Sequence, residues 1–245
     1  NKIFAEVKPD VLLHLAARAG VRASIADPVL YHNVNIVGTN ILLDACRKHG
    51  VNRVVSASSS SVYGNQIKTP FSETDETENP ISPYAATKRA GENLCYAYSK
   101  MYGLRITCLR FFTVYGQSGR PDMAPLMFTK AIDSGQTIKR FGDGSSMRDY
   151  TFIDDIVSGI ISAIDNPFNF EIINLGNNKP EKLHVLISTI EKSLGKNAII
   201  EELPMQPGDV EMTYADITKA QKLLHYSPQT SLADGIEKLV NWYKK

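Results

Sequence analysis

Tyr84 and Lys88, in the run Tyr84-Ala85-Ala86-Thr87-Lys88, place a phenol and an ammonium four residues apart. On a helix that spacing sets the two groups one turn apart on a single face, so both can reach one site. A neighbouring positive charge favours phenolate and moves the tyrosine pKa toward a value useful for a general base. Spacing alone does not single out this pair, because Tyr96 and Lys100 repeat it further along. That second pair would lie about 120° round the same helix and roughly 18 Å away. The discriminating context is the run Val54-Val55-Ser56-Ala57-Ser58-Ser59-Ser60-Ser61-Val62-Tyr63-Gly64, upstream of Tyr84. Serines at the C-terminal end of a parallel strand stand where open α/β sheets bind ligands.

These residues must be carried by elements that alternate, and the apolar period does alternate between strand-like runs and helix-like stripes. Val11 to Leu15 reads as a buried strand, and Arg53 to Ser58 as the next. Between them Asp27-Pro28 is an N-cap followed by Pro at the first helical position, opening a helix to about Lys48 with Gly50 beyond its end. Phe71 to Pro80, with Glu73, Asp75, Glu76 and Glu78, reads as a solvated connection. A long helix from Pro83 to Tyr102 carries the Tyr/Lys pair, Gly103 ends it, and the strand Arg105 to Arg110 follows at once. Further along, the pattern predicts a helix to about Ser134, a short strand at Lys139 to Phe141, and helices at Ile153 to Ile164 and Leu232 to Tyr243. The fold class is α/β with a parallel sheet.

Composition narrows the partner. Lys+Arg at 27 against Asp+Glu at 26 gives a net charge of +1, and the charges are scattered, which argues against a nucleic-acid surface. No apolar stretch approaches the ~18 residues that span a bilayer. Cys46, Cys95 and Cys108 form no Cys-x-x-Cys pair and no zinc spacing, which suits reduced thiols in a cytoplasmic protein. The expected partner is a small molecule, with no metal.

Taken together, the serine run, Ser82-Pro83-Tyr84 and Lys88 resemble the extended short-chain dehydrogenase/reductase family, in the NAD-dependent epimerase/dehydratase group. The likeness runs from His14-Leu15-Ala16-Ala17 to Tyr214-Ala215-Asp216. It implies a doubly wound, Rossmann-like sheet over residues 1–112 and a smaller α/β substrate-binding subdomain over 113–245. Segments at about 146–176 would return to the first unit. It also implies NAD as cofactor, a homodimer, Ser59 and Tyr84 as catalytic groups, and Lys88 as the partner of Tyr84. Leu15, Ala16, Ala17, Asn35 and Phe112 correspond to cofactor contacts, together with Tyr84 and Lys88, the last bonding the nicotinamide ribose. The family's Gly-rich dinucleotide turn is absent, and about 60 to 70 further residues ahead of Asn1 are expected to carry it.

Reaction and substrate follow from the flanks of these motifs. Dehydratase relatives carry an Asp-Glu pair after the catalytic hydroxyl, for the extra acid and base that eliminating water requires. Ser60 and Ser61 stand there instead, which favours an enzyme that moves a hydride off C4 of a sugar and back onto its other face. Thr113 and the stretch Gly119-Arg120-Pro121-Asp122-Met123 are similar to UDP-glucuronate 4-epimerases. There Arg120, with the hydroxyls of Ser60 and Thr113, would hold the sugar carboxylate and keep the β-keto acid from losing carbon dioxide. The resemblance places Arg148 on the diphosphate and Lys139 to Phe141 over the uracil, while Gln206-Pro207-Gly208-Asp209 lacks the arginine that many relatives have. A neutral UDP-sugar epimerase, a UDP-glucuronate decarboxylase and a binding protein without activity stay open as alternatives.

Overall fold

A computed structural model describes residues 1–204 and 212–245, so the Gln206 to Asp209 segment lies outside the described residues. The elements run α1 (Lys2–Val7), β1 (Leu12–His14), α2 (Val21–Ala26), α3 (Pro28–Tyr31), α4 (Gly38–His49), β2 (Arg53–Ser59) and α5 (Pro83–Tyr102). They continue with β3 (Arg105–Phe111), β4 (Thr113–Tyr115), α6 (Ala124–Asp133), β5 (Thr137–Phe141), β6 (Met147–Phe152), α7 (Ile153–Asp165) and β7 (Phe170–Leu175). The last are β8 (Pro180–Lys182), α8 (Leu183–Leu194), β9 (Ile199–Leu203), β10 (Met212–Thr213), α9 (Thr218–Leu224) and α10 (Leu232–Tyr243).

The main sheet has the order β1-β2-β3-β7 and every pairing is parallel. Its strands bury apolar side chains on both faces, which is why they read as nearly continuous hydrophobic runs. Val54, Ile106 and Cys108 pack toward Leu43, Cys46 and Cys95 of α4 and α5. Val55, Leu109 and Ile173 pack the other way, with Ile156 of α7 and Leu224 of α9. The sheet is thus doubly wound. A second sheet, β10-β6-β4 with β8 antiparallel to β6, and a parallel β5-β9 pair build the other lobe. Its core joins Leu126, Phe152, Leu186, Ile190, Ile236 and Leu239.

Local signals place the long helix well. Ser82 caps α5, its hydroxyl accepting from Ala85 N at 3.1 Å, and Gly103 ends it with φ 70°. Three expectations need correction. The helix after Asp27 is interrupted by a π-helical turn over His32–Val37, which carries Asn35. Phe71 to Pro80 is solvated only in part: Thr74, Glu76, Glu78 and Asn79 are exposed, but Phe71 is only 1% exposed, packs on Tyr63 at 5.0 Å between ring centroids and bridges to Ala215. One aromatic anchor outweighs the surrounding carboxylates. The return to the main sheet begins at α7 rather than near residue 146, since β6 pairs with β4, β8 and β10.

Candidate active site

β2 ends at Ser59 in extended conformation, and the chain turns at once into a short 3-10 helix, Ser60–Tyr63. Ser59 Oγ accepts from Ser61 N at 3.2 Å and lies against Ser61 Oγ at 3.2 Å, so the turn itself orients the hydroxyl. Opposite stands Tyr84 on the first turn of α5, its phenol near enough to the Ser59 hydroxyl to be favoured as phenolate by it. The start of α5 is fixed from outside as well, because Tyr84 N donates to Ser24 Oγ of α2 at 3.1 Å. Tyr31 packs edge-on against the Tyr84 ring with centroids 6.3 Å apart.

Burial pushes the Tyr84 phenol above its ordinary value, with the Ser59 hydroxyl and the Arg120 charge opposing. The expected lowering by Lys88 is therefore not what the structure shows. Lys88 Nζ donates to Ala57 O at 2.8 Å, and burial takes its own pKa down to about 8. In this state the phenol is protonated and the ammonium is held by a strand carbonyl. Tyr96 has the bland fate: it is half exposed, with Lys100 over its ring at 5.4 Å.

At the end of β1, Leu15 and Ala16 are exposed and Ala17 is half-buried, leaving a shelf of apolar and small side chains beside Lys88. Such a shelf fits a flat dinucleotide ring, and Lys88 would hold hydroxyls there. Asn35 borders the same hollow as Ala17 and Lys88. Its amide accepts from Arg18 N at 2.8 Å and donates to Arg18 O at 2.9 Å and Thr87 Oγ1 at 3.0 Å, so it ties the loop after β1 to α5. Phe112 stands at the end of β3, yet its ring turns into the core against Tyr63 and Phe71, each 6.3 Å away. A buried amide needs partners, and an aromatic ring finds more apolar contact inside.

On the far side a pocket of about 270 Å³ gathers Thr113, Lys139, Phe141 and Arg148. β4 pairs with β6 in the register Thr113↔Tyr150, which is why two distant segments supply one wall. Arg120 lies between this pocket and the base. Its guanidinium makes a two-pronged bond to Asp122, Nε to Oδ1 at 3.0 Å and Nη2 to Oδ2 at 2.5 Å, and its charge acts on Tyr84 and Tyr31. Gly20, at φ 108°, lets the loop after β1 pass close by, for a Cβ there would meet Arg120 Nη2 at 3.1 Å. Ser60 sits in the first turn after Ser59. Arg22, whose guanidinium lies 5.1 Å from the Phe141 ring centroid, and Asp122 also line the pocket and were not singled out from sequence. Their position, Arg22 on the first turn of α2 and Asp122 in the loop after β4, beyond the C-terminal ends of β1 and β4, was the available signal. Among the described residues no group of His, Cys, Asp and Glu is arranged to hold a metal ion.

A phenol, a hydroxyl and an amine converging at the C-terminal end of a doubly wound sheet can deprotonate an alcohol beside a dinucleotide, which is the chemistry of the short-chain dehydrogenase/reductase class. Comparison with known proteins agrees. The chain belongs to the NAD dependent epimerase/dehydratase family, whose model matches residues 1–176. It is 46% identical over 244 residues to a UDP-glucuronate 4-epimerase of Thermodesulfobacterium geofontis, covering 99% of this chain and 75% of that one. A crystal structure of UDP-glucuronic acid 4-epimerase from Bacillus cereus with UDP-glucuronic acid and NAD is similar at TM-score 0.93 and 40% identity, over 99% of this chain and 77% of that one. UDP-glucose 4-epimerase of Thermotoga maritima is similar at TM-score 0.94 and 31% identity, over 99% and 80%. Backbone shape therefore does not separate the sugars, whereas side-chain identity leans to the glucuronate enzymes.

Proposed function

We propose that this chain carries the activity of an NAD-dependent UDP-glucuronate 4-epimerase, an isomerase that works through a transient 4-keto sugar. Residues 1–112 carry the cofactor side and 113–245 most of the substrate side. NAD, when bound, supplies a reversible hydride acceptor. Tyr84 takes the proton of the 4-hydroxyl, Ser59 hydrogen-bonds the same oxygen, and Lys88 holds the ribose and favours the phenolate. The Lys88 ammonium has three donors, so it can keep its bond to Ala57 O and still reach the ribose hydroxyls. Arg148 grips the diphosphate, and Lys139 and Phe141 cover the uracil.

The observation that carries the uronate reading is Arg120, whose charge reaches Tyr84 while its side chain already holds a carboxylate, that of Asp122, in a two-pronged bond. A C6 carboxylate lies one carbon from the ring and two from C4, so a cation near the C4 base is well placed to hold it, with Thr113 and Ser60. NMR of the product from UDP-glucuronate is the test. Retention of all carbons with inversion at C4 is expected; release of carbon dioxide would make the enzyme a decarboxylase. Arg120→Ala should cost roughly ten- to a hundredfold in kcat/KM on UDP-glucuronate and little on UDP-glucose. Equal losses on both would assign Arg120 to the loop or the diphosphate. We further place the enzyme in the cytoplasm as a homodimer, which the three buried unpaired thiols and an exposed apolar stripe on the helix after Asp27 support.

A further inference from the structure

Behind the serine run lies a charged pair that the proposed chemistry does not use. Glu92 stands one turn beyond Lys88 on α5, and Arg110 lies on β3 two residues before Phe112; their side chains are 1% and 2% exposed. Arg110 donates from Nε to Glu92 Oε1 and from Nη2 to Oε2, each at 2.8 Å. Oε1 also accepts from Ser58 Oγ at 2.6 Å, and Oε2 from Arg89 Nη1 at 3.1 Å. The guanidinium stacks on the Tyr63 ring at 4.7 Å, and Tyr63 donates to Asn174 of β7 at 2.7 Å. One network thus touches α5, β2, β3, the 3-10 turn and β7.

Stability does not account for such a pair. Exchange of a buried ion pair for apolar residues of similar volume is often neutral or stabilising. Here Arg110 Nη1 is moreover buried without a hydrogen-bond acceptor among the described residues, a cost that an apolar residue would not carry. What an arginine fork on a carboxylate does supply is a single distance and orientation. Each anchor sits next to a residue of the candidate site. Ser58 precedes Ser59, Glu92 follows Lys88 by a turn, and Arg110 leads into Phe112 and Thr113.

We propose that the Glu92–Arg110 pair, with Ser58, is a positioning device that fixes the Tyr84/Lys88 face of α5 against the strand end carrying Ser59. This rests on the site assignment above and adds to it three residues, Glu92, Arg110 and Ser58, that act through the placement of others. Loss of the fork lets helix and strand shift against each other, and a misplacement of about 1 Å costs on the order of a hundredfold in rate.

The experiment uses the full-length enzyme with NAD and UDP-glucuronate, and compares Glu92→Gln, Arg110→Lys and the apolar double variant Glu92→Met/Arg110→Met. Arg110→Lys keeps the charge and loses the fork. Expected is a fall in kcat of roughly ten- to a hundredfold with KM within about threefold of wild type in all three. The double variant should recover the wild-type melting temperature and still turn over slowly. The proposal is overturned if folded Glu92→Gln or Arg110→Lys keeps kcat within about threefold, if the losses fall on KM instead, or if kcat returns with the melting temperature in the apolar pair. Should the double variant fail to fold, Arg110→Lys decides alone. Tyr84→Phe separates the two readings, because full activity there would sink the site assignment rather than the positioning role.

Discussion

The contrast between Tyr84 and Tyr96 shows what a residue's surroundings add to its type. Both stand four residues ahead of a lysine on the same helix. Tyr84 is buried, beside Ser59 and within the field of Arg120, whereas Tyr96 rests edge-on against Phe170 at 5.1 Å and is half exposed. With Tyr84 as the proposed general base, Tyr84→Phe should lower turnover by a factor on the order of a hundred or more, the usual range for such a group. Tyr96→Phe should leave kcat within about twofold. Steady-state kinetics of the two variants side by side checks this, and comparable losses would remove Tyr84 from the reaction.

Among the elements, β6 is held to its neighbours through one buried carboxylate. Asp149 is 0% exposed and accepts from Asn177 N at 2.6 Å, Thr151 Oγ1 at 2.9 Å, and Asn178 N and Ala215 N at 3.0 Å each. It joins the loop after β7 and the segment after β10 to the strand that carries Arg148. Burial raises its pKa, while the three amide donors favour the charged form. Asp149→Asn turns an NH₂ toward backbone N–H groups and leaves donors without an acceptor. The expected cost is about 3 kcal/mol. For a chain of this size that lowers Tm by roughly 6–12 °C, readable in a thermal melt. A melt unchanged within a degree or two would mean that these hydrogen bonds contribute nothing net.

For the molecule as a whole, the unpartnered surface matters most. Val34, Val37 and Ile41 form a stripe at helical spacing and are 36%, 42% and 61% exposed. Apolar rows of this kind mark association surfaces, and the proposed dimer would cover this one in the full-length protein. Light scattering at micromolar concentration should report a dimer, and Ile41→Arg should yield a monomer, because a guanidinium buried between two apolar helices has no counter-charge. A wild-type monomer would refute the association. Among the described residues no helix is long and apolar enough to cross a membrane.

Sequence by itself determined the strongly periodic and capped elements: α5 and α10 fall at the predicted residues, and β1, β2 and β3 within a residue or two. Caps, glycine ends and apolar periods are local, so they act wherever the chain folds. It also singled out Ser59, Tyr84, Lys88 and Arg148 as candidates, through side-chain type at helical spacing and at strand ends. Tertiary structure alone decided which way Asn35 and Phe112 turn, that Phe71 is a core residue inside an acidic loop, that Tyr84 is raised rather than lowered, and that Arg22 and Asp122 border the pocket. Each of these depends on contacts between residues far apart in the chain, and burial, the term that dominates the Tyr84 shift, is set by the whole packed interior rather than by neighbours in sequence.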